Sequence, residues 1–514
     1  MRSGTLSSLV EDLVSEDVER AADRGVALHL FFLALVVYAW FFQGGGFNQN
    51  VNLDLTRAIV ERGTIRVDAY RENTGDLSLY RGHFYSNKAP GLSLLAVVPY
   101  FAIDRAVGLA GLERDAFVRT LAAYGTTVAV SGLFGALIPA LLFLHVRDGG
   151  ASRRAAAASA LIAAFATPLF AYSTMLFAHV PSAALSLAGF HLLFRREAPA
   201  RPAAAGLLLG AATVVNYLCG PLAVIFAAVF LFRRARWWRD ALAIATGALG
   251  PALLLGWYHQ RAFGSPFATP IDTTNPAFIS ESAWLGIVRL PRLDALWGIT
   301  VSPYRGLFFM APILLFAFWG GAMLAREGRR REAAAIGGGA FFLLLFNASF
   351  NGWHGGYTIG PRYLLPLVPL LAIAAVPALG RAPRIAAFLA AISLAFNFAA
   401  TAVDPQPPET LRNPLFEYSL PSLLTGTAGG GDDAPWLADW FTGHASVNRQ
   451  TVDEILPFRR YPPGSPQAEW ASFNLGELLF PTGSFASVVP ALLLILGGGG
   501  WILRGTAAAP RSRA

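Results

Sequence analysis

The sequence predicts an all-α polytopic membrane protein, a bundle of about 12 transmembrane helices, and three observations carry that expectation. The 514-residue chain is 54% hydrophobic and only 14% charged, with a mean hydropathy of +0.48. Apolar runs of about 17–25 residues, the length that crosses a bilayer core of about 30 Å, recur from end to end. Arginines gather in short hydrophilic breaks that fall at every second loop, the signature of cytoplasmic loops.

The elements follow in order. Residues 1–24 are polar and acid-rich (Glu11, Asp12, Glu16, Asp17, Glu19) and read as a short cytoplasmic amphipathic helix with no cleavable signal peptide. The first span covers 26–42. Later spans are expected at 118–146, 155–172, 181–195, 203–216, 218–232, 240–259, 306–325, 333–347, 363–380, 385–403 and 484–503. Arginine clusters at 147–154, 195–201, 233–239, 326–331, 381–384 and 504–513 alternate with the arginine-free loops 173–180 and 347–361, which puts both termini in the cytoplasm. Counting 91–112 as a span would send the 147–154 cluster outside, so this stretch reads as an interfacial helix with Asp104 and Arg105 near the headgroups.

The chain thus divides into a cytoplasmic segment 1–25 and a transmembrane domain 26–403 whose first outer loop is 43–117. An extracytoplasmic region 404–483, which caps the outer face, and a last helix with cytoplasmic tail, 484–514, complete it. The formal charge of +8 is explained by topology and calls for no nucleic acid. The single cysteine, Cys219, excludes an internal disulfide.

Ionisable residues at a membrane surface are costly and mark function. Here they concentrate in the first outer loop. Residues 50–62 form an amphipathic helix, with Val51, Leu55, Ala58 and Ile59 on one face and Asp54, Arg57 and Glu61 on the other, and Gly63 ends it. Arg57 and Glu61 read as solvated charges. Asp54, Asp68 and Asp76 are three carboxylates on the loop that also carries Lys88, the one lysine among 40 basic residues. An ammonium is a compact point charge suited to a phosphate oxygen, which a planar guanidinium reads differently. Three further outer segments supply His179, Arg305, and the group Trp353, His354, Tyr357 and Arg362. The aromatic and histidine side chains offer a stacking and hydrogen-bonding surface for a sugar; Arg305, Arg362 and Lys88 together suit a phosphate.

Tyr85-Ser-Asn-Lys88-Ala-Pro-Gly91 and Gly360-Pro-Arg362-Tyr363-Leu-Leu-Pro-Leu-Val-Pro369 resemble motifs of the GT-C superfamily of polyprenyl-phosphate-dependent glycosyltransferases. The likeness is to the branch with lipid A aminoarabinose transferases and protein O-mannosyltransferases. The first segment looks like that branch's aromatic–x–x–Lys–Pro–Pro element, the second like its Arg-Tyr opening to a Pro-rich span. The resemblance implies a GT-C-like bundle in a bacterial inner membrane, a polyprenyl-phosphate-linked sugar donor and an extracytoplasmic lipid, glycan or protein acceptor. It implies that Lys88 contacts the donor's phosphate or the catalytic carboxylate, that Arg362 helps bind the lipid phosphate, and that Tyr85 lies in the same element as Lys88. The chain departs from the pattern where the family has an Asp, often Asp-Glu, after the first span: Asn48 and Gln49 stand there, and a second family acid would fall near His179.

The expected activity is therefore inverting sugar transfer, with Asp76, Asp54 or Asp68 as base, Lys88, Arg305 and Arg362 on the donor phosphate, and Asn48, Tyr85, His179, Trp353, His354 and Tyr357 binding substrate. A divalent metal would fit where carboxylates cluster, but no ligand spacing identifies one. Two alternatives remain: a transporter or flippase of a lipid-linked glycan, against which the lack of an internal repeat speaks, and a non-catalytic scaffold of the cell envelope.

Overall fold

The computed structural model describes residues 6–196, 199–407, 409, 411–424, 472–480 and 485–506. The region 404–483 therefore lies mostly outside the described residues. Helix α1 runs unbroken over Leu6–Ala39, merging the expected cytoplasmic helix with the first span. Its end is earlier than expected: Phe41–Gln43 forms strand β1. Helices α2 (Phe47–Arg62) and α3 (Gly91–Leu109) flank a hairpin of β2 (Leu77–Tyr80) and β3 (His83–Ser86). The bundle continues with α4 (Phe117–Asp148), α5 (Arg153–Phe165), α6 (His179–Phe194), α7 (Pro202–Val215), α8 (Cys219–Leu231) and α9 (Trp237–Phe263). Then follow α10 (Pro312–Arg326), α11 (Arg330–Ser349), α12 (Arg362–Leu379), α13 (Pro383–Val403) and α14 (Phe485–Gly505). Strand β4 (Ser472–Asn474) pairs antiparallel with β1.

Among the described residues, eight helices are long and apolar enough to cross a membrane: α1, α3, α4, α9, α11, α12, α13 and α14. Four shorter apolar helices (α6, α7, α8 and α10) join them. Two expected spans are broken where proline removes a backbone donor. The 155–172 stretch splits into α5 and a short turn at Leu169–Ser173 on either side of Pro168, and the 306–325 stretch splits at Ala311-Pro312.

Helix α3 needs separate treatment, because its 19 residues suffice to cross a membrane. Arg147 and Arg153, at the junction of α4 and α5, pair with Asp23 of α1 at 2.9 and 2.5 Å. At the other end of the same two helices, Tyr124 Oη donates to Ala39 O at 2.7 Å. Helices α1 and α4 therefore run antiparallel, and the chain enters and leaves 40–116 at one end of the bundle. Helix α2, with Asn50, Asn52, Asp54, Arg57 and Glu61, is not a second span. A lone crossing by α3 would leave the chain at the wrong end, so α3 lies with α2 and the hairpin on that end.

This end layer has its own core of Phe42, Leu53, Leu55, Val67, Leu92, Tyr258 and Phe263, apart from the larger bundle core. Its burial corrects the expected amphipathic helix. Residues 49–56 of α2 are buried all around, Asp54 completely. Arg57 is not a solvated charge either. It binds Glu61 through two contacts of 2.8 and 3.3 Å, and the hydroxyls of Tyr70 and Tyr100 donate to the same carboxylate at 2.8 and 2.6 Å. Burial opposes ionisation of Glu61, but Arg57 and the two hydroxyls outweigh it and hold the carboxyl below its ordinary range.

Candidate functional site

Asp76 is positioned by a turn that Thr74 and Gly75 fix against α2. Thr74 Oγ1 donates to Phe47 O on α2 at 2.8 Å and accepts from Asp76 N at 3.0 Å. Between them Gly75 lies on the Phe47 ring, where a Cβ would come within 2.8 Å of it, so a larger residue would push Asp76 away from α2. Leu77–Tyr80 then pairs with His83–Ser86 in register Leu77↔Ser86, around a two-residue turn in which Arg81 and Gly82 both have positive φ (50° and 78°). Turns of this kind match the twist of a hairpin. The hairpin returns the chain beside Asp76, where Asn87 N donates to Asp76 O at 3.3 Å.

Lys88 follows immediately, and its Nζ lies 2.9 Å from Asp76 Oδ1. Helix α3 starts three residues later. Gly91 packs against the backbone of Val214 so closely that a Cβ would sit 2.6 Å from it. The lysine is thus anchored by a hairpin on one side and a seated helix on the other.

Asp76 and Lys88 line a cavity of about 510 Å³. Its other walls come from 270–279, from Phe350–Gly356, from Arg362 and Tyr363 at the start of α12, and from Glu409. Arg362 donates to Tyr363 Oη at 3.0 Å and faces the rings of Phe177 and Tyr363. Its buried Nε has no hydrogen-bond partner, and among the described residues no carboxylate lies within ion-pair distance of it. Gly355, with φ of 77°, sits so close that a Cβ would come within 3.1 Å of Arg362 Nε. His354 Nδ1 accepts from Gly356 N at 3.1 Å, with Glu409 Oε2 at 3.5 Å. Burial, then Arg305 and Arg362, pull His354 below the ordinary histidine range against the opposing pull of Glu409, which favours the neutral ring.

Of the residues singled out from sequence, the fold brings Asp76, Lys88, His354 and Arg362 to one cavity. The others lie elsewhere. Asp68 accepts from Phe84 N at 2.6 Å and pairs with His83 Nδ1 at 2.9 Å, fastening the hairpin to the preceding turn. Asp54 is sealed inside the end layer. Asn48 Oδ1 and O both accept from Asn52 Nδ2 within α2. Tyr85 is buried against Phe263, His179 against Tyr172, Phe177 and Tyr363, and Trp353 fits over Gly298 beside Tyr304. Tyr357 is half-buried and outside the cavity lining.

Arg305 departs furthest from a phosphate-facing role. It is completely buried, and its guanidinium donates to the carbonyls of Tyr304, His354 and Gly356 at 3.1–3.3 Å. The side chain holds the His354 loop from beneath. Arg305→Met is expected to lower stability by about 3 kcal/mol, since it strands three acceptors that now receive charged donors. Thermal unfolding in detergent measures this; an unchanged midpoint would mean the loop is held by something else.

Glu409, Asn87, Asn351 and Tyr363 were not anticipated as lining residues. Glu409 reaches the cavity because Tyr304 Oη donates to its carbonyl at 2.8 Å, a link over 105 residues that no local pattern signals. Among the described residues no three His, Cys, Asp or Glu side chains are grouped to hold a metal ion.

The folded chain is, as a class, a polytopic α-helical membrane protein with a charged cavity under its end layer. No protein-family model matches it, and no curated protein does. Two solved structures of ArnT from Cupriavidus metallidurans are similar to it. One, bound to undecaprenyl phosphate, is 17% identical with a TM-score of 0.46, over 95% of this chain and 77% of that one. The other, in the apo state, is 18% identical with a TM-score of 0.45, over 96% and 78%.

Proposed function

We propose that this protein is an inverting membrane glycosyltransferase of GT-C type, moving a sugar from a polyprenyl-phosphate donor to an acceptor hydroxyl on the extracytoplasmic side. The observation that carries the reading is a cavity lined by two cations of different kind, Lys88 and Arg362, together with the carboxylates of Asp76 and Glu409. Such a set suits displacement of a phosphate by an alcohol: the cations offset charge on the departing phosphate and a carboxylate can take the proton. Arginine clusters on the far side of the bundle from this cavity support an outward-facing site, with both termini in the cytoplasm.

In this mechanism the acceptor oxygen attacks the anomeric carbon from the face opposite the phosphate. The bond from that carbon to the phosphate oxygen breaks, and configuration inverts. Lys88 and Arg362 neutralise charge gathering on the departing phosphate. Asp76 Oδ takes the proton of the attacking hydroxyl. Binding of the phosphate draws Lys88 away from Asp76, which leaves the carboxylate a better base at the moment it is needed. The neutral His354 hydrogen-bonds to a sugar hydroxyl without adding charge.

The test is to delete the gene and measure lipid-linked sugars and envelope glycans together. The reading expects loss of one glycan substituent and accumulation of one polyprenyl-phosphate sugar. No change in either pool would overturn it.

A further inference from the structure

A second site lies at the opposite end of the bundle from the Lys88 cavity. Helices α5, α13 and α14 do not close on one another but leave a groove of about 730 Å³. Its walls are built from small residues, including Ala158, Ala387, Ala390 and Gly500. A Cβ on Gly500, which lines the groove, would meet nothing within 4 Å. The lining is polar at one end only. Ser152 and Arg154 stand at the mouth, and from Arg154 to Phe165, about 16 Å along the α5 axis, the groove is apolar.

Charge at the mouth is one-sided. Arg153 is held by Asp23 at 2.5 Å, whereas among the described residues its neighbour Arg154 has no carboxylate in reach. Arg384 in the first turn of α13 and Arg504 in the last turn of α14 lie at this same end, both exposed. An apolar groove of this size offers a hydrocarbon chain dispersion contacts that its lining otherwise lacks. Its polarity, anionic-seeking at one end and hydrocarbon-like over the rest, matches one lipid chain hanging from one phosphate. Basic pockets between transmembrane helices recognise anionic headgroups in this way.

We infer that the α5–α13–α14 groove is a binding site for an anionic glycerophospholipid, its phosphate at Arg154 and one acyl chain along α5. The site is independent of the sugar-transfer reading. The test uses the full-length protein in detergent, exposed to equimolar phosphatidylglycerol and phosphatidylcholine, with retained lipid counted by native mass spectrometry. Wild type is expected to retain phosphatidylglycerol about fivefold over phosphatidylcholine, the discrimination that one basic residue near the headgroups supplies. Arg154→Ala should lower that ratio, and Arg154→Ala combined with Arg384→Ala and Arg504→Ala should bring it to about one. Gly500→Trp, which projects into open groove, should abolish retention of both, and Ala390→Phe fills the groove from the facing wall should that variant not fold. Equal retention of the two lipids by wild type, or wild-type retention by the folded groove-filling variant, would overturn the assignment.

Discussion

Lys88→Ala is expected to lower sugar transfer in membranes by roughly 10²–10³-fold while the protein still accumulates, the cost of removing one preorganised donor from a developing anion. The ammonium sits 2.9 Å from Asp76 and on the cavity wall. Its loss removes the charge beside Asp76 and, on the proposed mechanism, the partner of the donor phosphate. Lys88→Arg should restore only part of the rate. A guanidinium is planar and longer, so it keeps the charge but cannot place a single point donor where Nζ stands. Rates measured at matched protein levels decide the matter. Full activity of Lys88→Ala would remove the lysine from the mechanism, and full rescue by arginine would show that only charge is needed there.

How far this site could be read in advance differs from residue to residue. The long spans were legible because the bilayer imposes a length on apolar helices that a linear sequence displays directly. The arginine pattern argues against counting α3 as a crossing, although its length and hydropathy suffice for one. Lys88 was legible for a compositional reason, being the one lysine in the chain. The breaks at Pro168 and Pro312 were visible as prolines but not as interruptions, since hydropathy averages over them. The end layer was opaque. Helix α2 has the polarity of a surface helix, yet it is covered by α3, with Thr56 Oγ1 donating to Ser93 O at 3.1 Å. Gln49 is covered by the loop before α6, accepting from Leu176 N at 2.8 Å. Burial of Asp54 comes from segments distant in sequence, and so does the arrival of Glu409. Arg305 illustrates the converse: its charge suggested an anion, and three backbone carbonyls supply the negative ends instead.

The three candidate bases, Asp76, Asp68 and Asp54, separate under one substitution each. Asp76→Asn keeps the size of the side chain and its place beside Lys88 but cannot take a proton, so turnover should fall by roughly 10²–10⁴-fold, the contribution of a positioned general base. Asp68→Asn should change turnover by only a few fold, because its carboxylate serves Phe84 N and His83 at the outside of the hairpin. It should instead cost about 1 kcal/mol of stability, a typical price for one such bond. Asp54→Asn, fully enclosed in α2, should also leave turnover within a few fold. The discriminating measurement is kcat for all three at saturating donor, alongside melting temperature. A collapse in Asp54→Asn with normal melting would move the base into the end layer, where the side chain would need a route to the acceptor that the closed packing does not offer. A normal Asp76→Asn would leave Glu409, the other carboxylate on the cavity wall, as the group able to receive the proton. That second result would keep the cavity and change which wall performs the chemistry.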